Sequence, residues 1–140
     1  MPAVLPQMSL FDDERKAVVT GLKYVPEYID AATEAALIQT IDKQPWLSDL
    51  KRRVQHYGYK YDYKARSITQ DLRLGPIPDW LDGLCDRLHA DSIFSTRPDQ
   101  VIINEYQPGQ GITPHIDCIP CFGDTIASIS IGSPCVMEFT

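Results

Sequence analysis

The stretch Asn104-Glu105-Tyr106-Gln107-Pro108-Gly109-Gln110-Gly111-Ile112-Thr113-Pro114-His115-Ile116-Asp117 reads as a strand, a Pro-Gly turn and an extended segment that ends in a histidine and a carboxylate two residues apart. Residues i and i+2 of an extended chain point the same way, so an imidazole nitrogen and a carboxylate oxygen come within reach of one ion. Two such ligands and a more distant histidine make the facial triad that holds non-haem Fe(II) and leaves positions open for chemistry. Taken alone, the pair is a weak signal: a hydrogen-bonded surface histidine before a turn-forming aspartate is spelled the same way. The strand ahead of it strengthens the case. Asn104 and Tyr106 share one strand face, and an amide and a phenol side by side can hydrogen-bond a dicarboxylate. The Pro108-Gly109 turn then folds the chain back and brings the pair toward them.

Outward from this segment, the C-terminal third reads as β. Val101 to Tyr106 is one expected strand and Thr125 to Ile131 another, with Ala127, Ile129 and Ile131 on one side. Cys135 to Phe139 begins a third after the Gly132-Ser133-Pro134 turn. Towards the N-terminus, Leu22-Lys23-Tyr24-Val25 is expected as a short strand ended by Pro26. Asp30 is a good N-cap for a helix to about Lys43, with Leu37, Ile38 and Ile41 as its apolar stripe. A second helix starts near Asp79 and runs to about Ala90, with Ile77, Leu81, Leu84 and Leu88 at helical spacing. Between the helices, Tyr57, Tyr59, Tyr61 and Tyr63 alternate with other residues, which in a continuous strand over residues 52–63 puts four phenol rings on one face.

The chain has 140 residues, enough for one domain and one core, and its composition is that of an ordinary globular protein. No run is apolar and long enough to span a membrane. Residues 1–20 read as a flexible tail and 21–140 as the domain. The start lacks a basic, then apolar, signal-like pattern, so the reading is a cytoplasmic monomer whose four cysteines, Cys85, Cys118, Cys121 and Cys135, stay reduced. Zinc held by Cys118 and Cys121 is disfavoured, because the candidate ligands crowd into one short segment. The net charge of −6 excludes a uniformly nucleic-acid-binding surface. Yet residues 51–73 concentrate seven basic side chains (Lys51, Arg52, Arg53, Lys60, Lys64, Arg66 and Arg73) against Asp62 and Asp71, a local field to which phosphates respond.

The segment from Asn104 to Asp117 resembles the AlkB-like Fe(II)/2-oxoglutarate dioxygenases. Ile129-Ser130-Ile131-Gly132-Ser133 with Met137-Glu138-Phe139 resembles the family's following strands, and Arg53-Val54-Gln55-His56-Tyr57-Gly58-Tyr59 resembles the loop ahead of the metal segment. The resemblance implies an α+β fold with a double-stranded β-helix, a jelly-roll, and N-terminal helices packed on its sheet. It implies Fe(II), 2-oxoglutarate and O2 as the reacting set. The expected reaction is hydroxylation of an alkyl group on a nucleobase, after which a hydroxylated N-alkyl group collapses to an aldehyde and the repaired base. His115 and Asp117 are then metal ligands, and Asn104 and Tyr106 contact 2-oxoglutarate. Arg53, Tyr57, Tyr59 and Tyr61 contact an alkylated nucleic acid in DNA or RNA repair, with stacking on an extruded base.

The family pattern continues with a distal histidine and two arginines, and residues 118–140 hold no histidine, arginine or lysine. The chain therefore reads as the N-terminal part of such a domain, a partial jelly-roll lacking part of the active site. The rival readings are a non-catalytic nucleic-acid-binding module and a tRNA- or protein-directed hydroxylase of the same family. In the tail, Gln7-Met8-Ser9-Leu10-Phe11 resembles the pentapeptide that docks bacterial repair and replication proteins on the sliding clamp, with Gln7, Leu10 and Phe11 as the contact residues.

Overall fold

The computed structural model describes residues 19–119 and 121–139. The tail through Val18, and with it Gln7, Leu10 and Phe11, lies outside the described residues. The elements among those described are α1 (Ala31–Asp42), β1 (Arg53–Tyr57), a 3-10 turn (Gln70–Leu72), α2 (Asp79–Ala90) and β2 (Val101–Glu105).

Helix α1 starts where the sequence places it. The Asp30 carboxylate accepts the Thr33 amide at 2.7 Å, satisfying one of the orphan donors of the first turn. This contact holds the Asp30 carboxyl below its usual pKa. The helix closes with the Lys43 and Gln44 amides bonded back to Thr40 and Ile41 carbonyls, just ahead of Pro45, which disfavours further helix. Helix α2 follows Pro78 and buries Leu81, Cys85 and Leu88, a stripe at i, i+4 and i+7. Asp79 and Asp82 in its first turn and Arg87 and His89 in its last complement the helix dipole.

Strands β1 and β2 pair antiparallel, Val54 opposite Asn104 and His56 opposite Ile102. Because side chains alternate and cross-strand partners share a side, the two faces of this ladder are distinct. One carries Gln55, Tyr57, Val101 and Ile103 and meets the helices. Tyr57, Val101 and Ile103 pack against a core of Leu37, Ile41, Ile77, Leu81 and Cys85. The Gln55 amide, fully buried, donates to the Ile41 carbonyl at 2.9 Å, and its oxygen accepts the Tyr57 hydroxyl at 2.6 Å. Tyr57 meets Trp80 edge-on at 5.3 Å. The other face carries Val54, His56, Ile102 and Asn104.

Several expected strands do not form. The extended run over residues 52–63 stops at Tyr57, because Gly58 takes φ +79° with the Asp99 carbonyl oxygen packed where a Cβ would stand. Beyond it, only single bridges persist, Tyr59 with Arg73 and Asp62 with Ser67, and the four tyrosines do not share a face. Leu22 to Val25 pairs with no strand among the described residues and remains exposed. Thr125 to Ile131 and Cys135 to Phe139 make no ladder among the described residues, so the two-stranded sheet is what the structure displays in place of the expected jelly-roll. A strand needs a partner for its amide groups, and sequence pattern alone does not supply one. Ile131 nonetheless packs on the core, and the Gly132 amide reaches Glu34 of α1 at 3.0 Å. Among the described residues no helix is long and apolar enough to cross a membrane.

Candidate metal and co-substrate site

His115 and Asp117 face each other. His115 Nε2 lies 3.3 Å from Asp117 Oδ1, and both side chains are about half exposed. His115 Nδ1 lies 2.8 Å from the Thr113 carbonyl oxygen. A carbonyl only accepts, so Nδ1 donates to Thr113, and Nε2 is the ring nitrogen turned toward the carboxylate. A carbonyl or carboxylate on the far nitrogen is the usual device that fixes tautomer and ring orientation in a metal-bound histidine. Two neighbouring ligands, each about 2.0–2.2 Å from a metal ion, stand close to the separation observed here. The donor set, one imidazole nitrogen and one carboxylate, fits two positions of the Fe(II) facial triad. Among the described residues no third histidine, cysteine or acid joins them.

The backbone holding this pair is tied down from one side. Arg66, at φ +50°, donates through its guanidinium to the Ile116 carbonyl at 2.6 Å. Cys118 and Cys121 are joined as a disulfide with Cα atoms 5.3 Å apart, and both sulfurs lie beside the Arg66 carbonyl. This corrects the expectation of reduced thiols: the two-residue spacing folds into a tight turn, closed by the Cys121 amide on the Cys118 carbonyl at 3.1 Å, which brings the sulfurs together. A hollow of about 470 Å³ beside Asp117 is walled by Ile116, Ile119, Phe122 and Ile126.

Asn104 and Tyr106 are linked by Arg52, one of the cations of the basic stretch. Arg52 donates from Nε to Asn104 Oδ1 at 2.8 Å, and its guanidinium carbon lies 5.9 Å from the ring centres of both Tyr106 and Tyr63, within cation–π reach. Tyr63 in turn meets His56 edge-on at 5.7 Å. Burial pushes the Tyr63 hydroxyl pKa up, while Arg52 pulls it down. The strand period was the available signal: Arg52 is two residues before Val54, hence on the same side as His56 and Asn104. The Gln107–Gln110 turn reverses the chain and its Gln110 side-chain amide reaches the Lys51 carbonyl at 3.1 Å, next to Arg52. No side-chain hydrogen bond joins the Arg52 group to the His115 pair among the described residues.

His56 is buried, with Nδ1 accepting the Tyr61 amide at 3.4 Å and Nε2 without a hydrogen-bond partner among the described residues. Burial, aided by nearby Lys60, lowers its pKa and keeps it neutral. Of the residues expected at the substrate, Arg53 and Tyr57 lie on the helix side. Arg53 forms a two-bond pair with Glu105, both contacts 2.8 Å, and sits over Trp46 at 4.5 Å. Tyr61 is buried and stacks on Phe122 at 5.7 Å, which links the tyrosine loop to the hollow beside Asp117. Tyr59 is half-buried, its carbonyl near Gln100.

The sequence profile of the 2OG-Fe(II) oxygenase superfamily matches residues 39–140. The chain is 37% identical over 137 residues to the "Alkylated DNA repair protein ALKBH8 homolog" of Arabidopsis thaliana, covering 94% of this chain and 39% of that protein. It is also 37% identical over 135 residues to the "tRNA (carboxymethyluridine(34)-5-O)-methyltransferase ALKBH8" of Macaca fascicularis, covering 89% of this chain and 20% of that protein. To the "Probable RNA/DNA demethylase ALKBH6" of Danio rerio it is 31% identical over 120 residues, covering 83% of this chain and 48% of that protein. The chain thus spans well under two thirds of the length of each of these relatives.

Proposed function

The chain belongs to the AlkB-like 2OG-Fe(II) oxygenases, whose reacting set is Fe(II), 2-oxoglutarate and O2, and on that premise we propose that it forms part of an oxygenase domain that hydroxylates an alkyl group on a nucleic acid, with tRNA ahead of DNA as substrate. The observation that carries the reading is the His115–Asp117 pair, with Nε2 and Oδ1 3.3 Å apart and the other ring nitrogen committed to the Thr113 carbonyl. These two side chains would hold Fe(II), which with 2-oxoglutarate supplies O2 activation when bound. Asn104 and Tyr106 would orient the co-substrate through amide and hydroxyl hydrogen bonds. The apolar side chains beside Asp117 would give the reacting alkyl group a surface to pack on. We take residues 21–140 as the N-terminal part of the family's double-stranded β-helix, with β1 and β2 as its first ladder.

The preference for tRNA rests on what the relatives are named for. The macaque, mouse and frog proteins are tRNA methyltransferases by name, at 35–37% identity. The basic stretch of residues 51–73 supplies phosphate contacts for either nucleic acid. The test is succinate formation from 2-oxoglutarate with Fe(II), stimulated in parallel by tRNA, methylated single-stranded DNA and a peptide. Stimulation by tRNA above DNA, lost in His115→Ala, is the expected result. Stimulation by peptide alone makes the chain protein-directed. Absence of succinate together with tRNA binding leaves a binding module.

A further inference from the structure

The disulfide between Cys118 and Cys121 closes the turn that begins directly after Asp117. Its setting differs from that of the other two cysteines. Cys85 is buried in the core, and Cys135 is exposed beside the Ser130 hydroxyl. Cys118 and Cys121 are half-buried, and each is approached from its own hollow. Cys118 lines the one of about 470 Å³ beside Asp117, and Cys121 lines one of about 430 Å³ bounded by Tyr59, Thr69 and Gln100. The two sulfurs stand 3.2 and 3.4 Å from the Arg66 carbonyl oxygen. The guanidinium of the same residue donates to the carbonyl of Ile116, the residue between His115 and Asp117, at 2.6 Å. Arg66 is itself held in the 62–67 turn. The Asp62 and Ser67 amides exchange hydrogen bonds with each other's carbonyls, and the Asp62 carboxylate accepts the Lys64 and Ala65 amides. One anchored residue thus touches the disulfide with its backbone and the metal segment with its side chain.

We propose that Cys118 and Cys121 are a reversible redox site, oxidised by a peroxide and reduced by a dithiol, and that the disulfide form braces the backbone of the His115–Asp117 pair through Arg66. The redox step stands on its own; its consequence for metal binding rests on the functional reading above. In the oxidation one thiol sulfur attacks a peroxide oxygen, the O–O bond breaks, and water or an alcohol leaves with the thiol proton, giving a sulfenic acid. The second thiol attacks that sulfur, the S–O bond breaks and water leaves as the S–S bond forms. The two sulfurs lose two electrons and two protons, and the peroxide gains them. A dithiol reverses the step by exchange: the S–S bond of this chain opens as one forms in the reductant. Closing the short ring removes chain freedom next to Asp117, so less motion has to be frozen when the ion arrives. A thiol is only a weak donor, so contact with the Arg66 carbonyl loosens once the ring opens.

The test compares the full chain oxidised with hydrogen peroxide and reduced with dithiothreitol, each reagent removed before measurement in the absence of air. Alkylation of the unfolded chain, read by mass spectrometry, should find two fewer free thiols after oxidation and recover both on reduction. Amide hydrogen exchange over residues 113–117 should be slower in the oxidised form. Mn(II) affinity, read by electron paramagnetic resonance, should be about 10-fold higher in the oxidised form, the low end of what an outer partner of a metal ligand contributes. A Cys118→Ser/Cys121→Ser chain should match the reduced form and ignore peroxide; if it does not fold, the two states of the wild type decide alone. Arg66→Gln should form the disulfide yet show the same exchange and Mn(II) affinity in both states. A thiol count that peroxide leaves unchanged overturns the inference. So does equal exchange, or equal Mn(II) affinity, in the two wild-type states, or a difference that survives Arg66→Gln. Wild type that takes up no Mn(II) in either state defeats the functional reading instead, and the thiol count and exchange still decide the redox brace.

Discussion

The two faces of the β1–β2 ladder come from alternate residues of the same two five-residue strands, and they are built to different rules. On the helix side, every polar group is answered within the fold: the Gln55 amide by Ile41 and Tyr57, Arg53 by Glu105. On the other side, polar groups are left able to take a further partner. Among the described residues Arg52 has no acid and His56 Nε2 no hydrogen-bond partner, and Asn104 is exposed with its oxygen held. The difference teaches where stability and chemistry reside in a sheet of this size. Groups satisfied internally contribute to folding, whereas groups held in place but unanswered are available to a ligand.

Substitutions break or sharpen this division. The largest expected effect is on the metal pair. Removing even an outer partner of a metal ligand lowers affinity about 10- to 100-fold, so His115→Ala or Asp117→Ala should weaken Fe(II) or Mn(II) binding beyond that range. Both side chains are about half exposed, so the urea midpoint should hardly move. A midpoint that falls in step with metal affinity would show that the pair is part of the packing. On the helix side the pattern should invert. Leu81 is 3% exposed in the centre of the core, and Leu81→Ala should cost about 2–5 kcal/mol of stability while the remaining folded fraction binds metal as wild type. Between the two lies Gly58→Ala. A left-handed residue costs roughly 1–2 kcal/mol when it is not glycine, and the added Cβ meets the Asp99 carbonyl. The hinge that turns the chain from β1 into the tyrosine loop should therefore fail, lowering stability and disturbing Tyr61 and Tyr63 together.

Legibility in the sequence divided along similar lines. Helices announce themselves locally: Asp30 as a cap and Leu37 with Ile41, or Leu81 with Leu88, as stripes, were readable because each rests on contacts within a few residues. β2 was readable to within one residue because its apolar run is bounded by a proline-containing turn. The tyrosine segment was not, since alternation of side chains persists on paper through Gly58, whose positive φ depends on how closely the Asp99 backbone approaches. Segments 125–131 and 135–139 carry strand composition, but a ladder depends on a partner far away in sequence, which composition does not name. The His115–Asp117 geometry follows from its i, i+2 spacing. Side-chain alternation puts Arg52 on the side of Val54 and His56, and the β1–β2 register, with Val54 opposite Asn104, brings it to Asn104.

The smallest effects separate the faces by pH. His56 is neutral in the folded chain because burial lowers its pKa from the usual 6.5. Once unfolded it regains the proton, so acid favours the unfolded state. Its contribution is fully present above about pH 6.5, declines as pH falls toward the lowered folded value, and then levels off. Glu105 behaves in the same direction in a lower window. Arg53 holds its carboxyl below the usual 4.5, so the stability it brings is intact above that pH and is lost as pH falls through the folded value. The Glu105 pair is partly exposed, which limits it to about 0–1 kcal/mol, less at high salt. Urea denaturation from pH 7.5 to 3 should therefore show His56→Gln diverging from wild type in its pH slope near pH 6, and Glu105→Gln only below about pH 4.5. A His56→Gln chain that keeps the wild-type slope near pH 6 would mean that His56 Nε2 is answered in solution, and the face opposite the helices would then be as closed as the one beneath them.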